Sequence, residues 1–150
     1  MLHLGQVEVL ELVNRRLGTL TPGSGAQWGK MSAPQMVCHL CDSFRFALGR
    51  KPASEASGLF QRTVMKWFAL YVPIQWPKGI GTRPEMEQGV GGTRPADFER
   101  DKLELAALIA EFARAAAFGV KHPIFGHMTN EEWMRWGWLH VDHHFRQFGV

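Results

Sequence analysis

Cysteine is scarce in this chain. Only Cys38 and Cys41 occur in 150 residues, too few for the disulfide framework of a small secreted fold. Long apolar runs are missing as well. No stretch approaches the roughly 20 apolar residues that cross a bilayer, and Met1–Gln6 lacks the basic-then-apolar pattern of a secretory leader. A soluble cytoplasmic protein with no membrane partner is the expectation. Charge of one sign is not gathered anywhere either. Seventeen Lys and Arg against 14 Asp and Glu give a formal +3, and basic residues come at most in pairs, as at Arg50-Lys51. Binding through phosphates calls for a basic stripe, so no nucleic-acid partner is expected.

What the chain does have is 45% hydrophobic residues, enough for one domain over 1–150 with a sizeable core. Their spacing is helical and almost never alternating. A first helix is expected over about Gly5–Leu17, with Val7, Leu10, Val13 and Leu17 as its apolar stripe and Gly18 as its stop. Ser32 followed by Gln35 is a capping box with Pro34 in the first turn, which starts a second helix over Ala33–Leu48. A third should cover Gly58–Val72, its stripe being Phe60, Val64, Trp67, Phe68 and Tyr71, and Pro73 and Pro77 end it. Residues 73–95 form a proline- and glycine-rich connection, long enough to suggest function or mobility. A long helix over Pro95–Phe118 comes next. The last helix runs from the capping box Thr129/Glu132 to about Phe148. With no internal repeat, an all-α bundle sharing its core among four long helices is the economical architecture.

The last helix carries His140-Val141-Asp142-His143-His144. Three imidazoles in five residues exceed what packing needs. Residues four apart share a helix face, so His140 and His144 can aim at one ion, while His143 lies about 100° around the helix from His144. Two ligands are too few, since zinc and similar ions take at least three from protein. A third must come from another helix, and His39 is the natural candidate, at the edge of the stripe Met36, Leu40, Phe44 and Ala47. A lone histidine there is more often a hydrogen-bonded core residue, but the pair on the last helix shifts the balance toward a ligand.

The segments Trp28–Ser43, Lys121–Trp133 and His140–Phe148 resemble the DUF1569 branch of the DinB/YfiT-like superfamily, and the likeness runs along essentially the whole chain, loosely from Ala53 to Val90. That resemblance implies an up-down-down-up four-helix bundle in which His39, His140 and His144 bind a divalent metal. It also implies a choice of activities on a small molecule, thiol S-transfer or hydrolysis. A centre of three neutral imidazoles with open positions can make a water, or a low-molecular-weight thiol, nucleophilic near neutral pH. Zinc or nickel are the first choices of ion, and iron or manganese accept imidazole too. The alternative is a non-catalytic binding module whose metal braces the bundle. A weaker one is a set of polar core histidines with no metal.

The remaining polar residues carry less. No general base stands out. Asp42, three residues after His39, is the better of two weak candidates for orienting an imidazole, and Asp142 is expected to be a surface or capping partner. Gln147 can reach substrate, or be an exposed amide. His143 is read as an outer or entrance residue, or as a solvated neighbour of the ligands. His122 and His127 flank a packing turn, Pro123–Gly126. The tryptophans Trp133, Trp136 and Trp138 are expected to fill the core. Cys38-His39-Leu40-Cys41 offers a rival metal or redox pair, though buried structural thiols are favoured. Dimers are common among small bundles, yet no seam here marks a homodimer.

Overall fold

A computed structural model describes all 150 residues. The chain forms five helices and no strands: α1 Val7–Thr19, α2 Ala33–Ala47, α3 Lys66–Tyr71, α4 Phe98–Ala113 and α5 Asn130–Gln147. A π-helical stretch, Gln61–Met65, leads into α3, and a 3-10 turn, Pro84–Met86, lies in the long connection. No helix is long and apolar enough to cross a membrane.

Both expected capping boxes form. Ser32 Oγ accepts the Gln35 N–H and Gln35 returns its side-chain oxygen to the Ser32 N–H, and Thr129 and Glu132 do the same for α5. These reciprocal bonds satisfy amide donors that a helix start leaves unpaired. They also fix the starts of the two helices that carry the histidines.

Twenty-seven buried apolar residues form one core cluster. α2 packs mainly on α4, while α5 meets α1, α2 and α3. Phe44, Phe112 and Trp136 interlock edge to face or tilted at 5.0–6.2 Å between centroids. Trp133, Trp136 and Trp138 are all buried, as their spacing predicts. Gly137 lets α5 approach closely, because a Cβ there would stand 2.7 Å from Leu4 Cδ1 and 2.8 Å from Phe112 Cε1.

Three helix expectations need correction. On α1 the buried face is Val9, Val13 and Leu17, and Val7 is exposed; Gln6 stands at the N-cap, so Val7 begins the helix on its solvent side. The helix expected over Pro95–Phe118 is shorter at both ends. Asp97 caps it by accepting the Arg100 N–H at 2.8 Å. After Ala113 the chain turns so that Phe118 packs on Phe112 at 4.7 Å and Trp133 at 5.2 Å, and this aromatic contact overrides the helix preference of Ala115–Ala117. The third correction concerns Phe60, Val64, Trp67, Phe68 and Tyr71, all exposed, with Leu70 alone fully buried in α3. Only Val64 lies in the π stretch; Trp67, Phe68 and Tyr71 belong to α3 itself, where Leu70 alone is buried, and Phe68 lines a cavity instead of the core.

Candidate metal centre

The structure brings His39 from α2 together with His140 and His144 from α5. One ligating nitrogen from each lies within 4.8 Å of the others. His39 Nε2 and His140 Nε2 are 3.2 Å apart, a separation that suits an N–H···N hydrogen bond and also two imidazoles sharing one ion at about 2.0–2.1 Å. The His39 and His144 rings stand 4.7 Å apart, and those of His140 and His144 5.0 Å.

Outer contacts decide which nitrogen of each ring is free. His39 Nδ1–H donates to the Met86 carbonyl at 3.1 Å, since a carbonyl only accepts. That leaves Nε2 with its lone pair. Gln147 Nε2 donates to the Trp28 carbonyl at 2.8 Å, which fixes the amide orientation. Its Oε1 therefore accepts the His144 Nδ1–H at 2.9 Å, and the His144 Nε2 lone pair is free as well. His140 Nδ1 is buried with no partner. Metal-binding histidines ordinarily give their second nitrogen to a carbonyl, carboxylate or amide in this way, which fixes tautomer and ring angle.

Burial keeps the cluster uncharged. Loss of hydration pushes His39 below the ordinary imidazole range. It pushes His140 and His144 well below it, reinforced by the neighbouring imidazoles. Neutral rings are the form that ligates a cation, so no proton has to leave first.

The three histidines line a cavity of about 350 Å³. Its walls are mostly apolar, with Arg83 and Gln75 among the polar exceptions: Met65 and Phe68 come from the π-to-α3 segment, Trp76 and Met86 from the long connection, and Phe125 from the turn before α5. The connection over residues 73–95 is thus part of the site. Asp42 holds its end, accepting from the Thr93 N–H and hydroxyl at 2.7 Å each, from Arg45 at 2.8 Å and from Lys51 at 3.1 Å.

These contacts correct several sequence expectations. Asp42 is fully buried and bonds no imidazole; Met86 takes the role of orienting His39. Gln147 is buried and holds His144 instead of facing solvent or substrate. His143 is buried rather than solvated, packed against Trp28 at 5.8 Å and Trp76 at 6.2 Å, and it lines the cavity beside the triad without joining it. Asp142 behaves as expected, pairing with Arg16 at 2.7 Å and Arg146 at 2.8 Å. The thiols turn to α4: Cys38 Sγ donates to Asp101 Oδ2 at 3.5 Å and Cys41 Sγ to the Asp101 carbonyl at 3.7 Å. Burial pushes the Cys38 thiol up to about 12 and raises Cys41 too, so both stay protonated.

Gln147 was legible only as a polar residue one turn beyond His144. The Met86 carbonyl left no signal, because any residue type supplies one. Among known families, "Protein of unknown function (DUF1569)" matches residues 5–149 of the chain. No curated protein and no solved structure matches it significantly. The chain belongs to the DUF1569 family.

Proposed function

We propose that this DUF1569 chain is a divalent-metal-dependent enzyme, a thiol S-transferase or hydrolase acting on a small molecule, with His39, His140 and His144 as the metal ligands. The bundle would be of the DinB/YfiT-like, up-down-down-up kind, with α1, α2, α4 and α5 as its four long helices. One observation carries this reading. Two Nδ1–H groups are engaged by Met86 and Gln147, so the Nε2 lone pairs of His39 and His144 are left to converge with His140 in the core. Without an ion, a proton on His140 Nε2 can bridge to His39 Nε2 at 3.2 Å, but that single proton serves one lone pair only and leaves the buried His140 Nδ1 without a partner.

Three imidazoles suit zinc or nickel first, and iron or manganese next. Such an ion supplies the positive charge that makes a water or thiol nucleophilic near neutral pH. The chain contributes the rest. Met86 and Gln147 hold the ring angles, and burial keeps the imidazoles deprotonated. The mostly apolar lining lowers the local dielectric, which strengthens electrostatic interactions inside. No fourth His, Cys or carboxylate joins the cluster, which favours an open coordination position over the metal-braced binding module.

The test is turnover by chelator-treated protein reloaded with zinc or nickel. The substrates are 4-nitrophenyl acetate, and a small thiol with 1-chloro-2,4-dinitrobenzene. Metal-dependent turnover that disappears in His140→Ala supports the proposal. Background rates in both assays, with metal bound, leave the binding module as the better account.

A further inference from the structure

His122 lies outside the triad, yet it lines the same cavity. Its backbone exchanges two 2.8 Å hydrogen bonds with Gly126, which closes the turn. Gly126 adopts φ +68° there, a conformation that glycine takes without steric cost. Inside the turn, His122 Nδ1 receives the N–H groups of Ile124 at 3.2 Å and Phe125 at 3.1 Å.

Both of those partners are donors, so Nδ1 must carry a lone pair and the proton of the neutral ring must sit on Nε2. An imidazolium would set a third N–H against two others. Burial acts the same way, lowering the ring to about 3. The ring plane is held too, stacked on Phe125 at 4.6 Å and 14° and edge-on to Trp136 at 5.4 Å. His122 Nε2–H makes no hydrogen bond within the chain, and the nitrogen is not among the fully buried unpartnered atoms, so it keeps accessible surface for a ligand. Trp136 also packs on His140 at 5.0 Å, so this donor and the triad flank one indole.

We propose that His122 is a substrate-positioning residue, whose Nε2–H donates to a carbonyl oxygen of a mainly apolar small molecule lying along Trp136 toward the histidine triad. This rests on reading the cavity as the substrate site, and it names the substrate class. The apolar walls take the body of the molecule. A fixed donor in such surroundings discriminates strongly, because a ligand without an acceptor leaves it unpaired.

Acetophenone and ethylbenzene test this directly. They match in shape and differ in the carbonyl. Binding is followed by tryptophan fluorescence, in protein as purified and after chelation, so that a missing metal and a missing donor give separate results. His122→Asn keeps an acceptor for the Ile124 and Phe125 amides but has no group at Nε2. The expected result is a shift of about tenfold in the ratio of the two Kd values, against acetophenone, relative to wild type and in both forms. An unchanged ratio overturns the proposal, as does failure of wild type to bind acetophenone up to its solubility.

A second measurement does not depend on the variant. Imidazole 15N shifts in the wild type should show His122 protonated at Nε2, and that resonance should move with acetophenone and not with ethylbenzene. A proton on Nδ1, or equal responses to both probes, overturns the assignment.

Discussion

Gln147 accepts the Nδ1–H of His144 at 2.9 Å while donating its own amide N–H to the Trp28 carbonyl at 2.8 Å. The loop between α1 and α2 is thereby coupled to one histidine of the triad on α5. Removing the acceptor leaves three imidazoles in place but frees one to rotate. Gln147→Leu should lower zinc affinity by roughly 10–100-fold, the usual cost of losing such an outer partner. Competition with a chromophoric chelator measures it, and an unchanged affinity would mean that the bond does not orient the ring.

The same coupling reaches Gly29. It has φ +80°, and a Cβ there would lie 2.6 Å from Gln147 Nε2. Gly29→Ala should therefore be destabilising by about 1–3 kcal/mol, from backbone strain, and should weaken zinc binding through displaced Gln147. Gly18→Ala is the control, since nothing lies within 4 Å of its Cβ position. Urea unfolding and chelator competition on both variants separate the two effects.

Asp42 is a structural anion. Its carboxyl is held below the ordinary range, because the Thr93 and Lys51 contacts outweigh burial. Asp42→Ala removes the acceptor of the Thr93 N–H and hydroxyl and one partner each of the half-buried Arg45 and Lys51, and should cost roughly 1–3 kcal/mol, while metal affinity per folded molecule changes little. A large loss of affinity with stability intact would restore it as an imidazole-orienting group.

Acid should destabilise the fold through His122. In the unfolded chain it protonates near 6.5, and in the folded chain only at about 3. Between those values the unfolded state binds the extra proton, so stability falls as pH drops from about 6.5 toward 3 and does not depend on this group above that window. His122→Asn should remove about one proton from the pH dependence of urea unfolding between pH 6 and 4. Metal-free wild type should be steeper still, because His39, His140 and His144 are shifted in the same direction.

How much of this the sequence discloses depends on how local each cause is. The capping boxes at Ser32 and Thr129 are local chemistry, and both helices begin where that chemistry places them. The His140/His144 face follows from helical geometry, and His39 from the need for a partner on a second helix. Long-range causes were hidden. The end of α4 depends on Phe118 reaching Trp133, and the exposure of Trp67 and Phe68 on what α3 packs against, with Leu70 alone reaching the core. The second role of His122 depends on which elements enclose the cavity, and its own turn says nothing of that.

Elemental analysis of protein purified without a nickel column tests the central claim most directly, on wild type and on His39→Ala, His140→Ala and His144→Ala, each checked for native helicity by circular dichroism. The three-histidine account predicts about one equivalent of a divalent ion in wild type and little in any of the variants. A wild type that holds no ion even after incubation with zinc, nickel or manganese would contradict it, as would variants that keep a full equivalent.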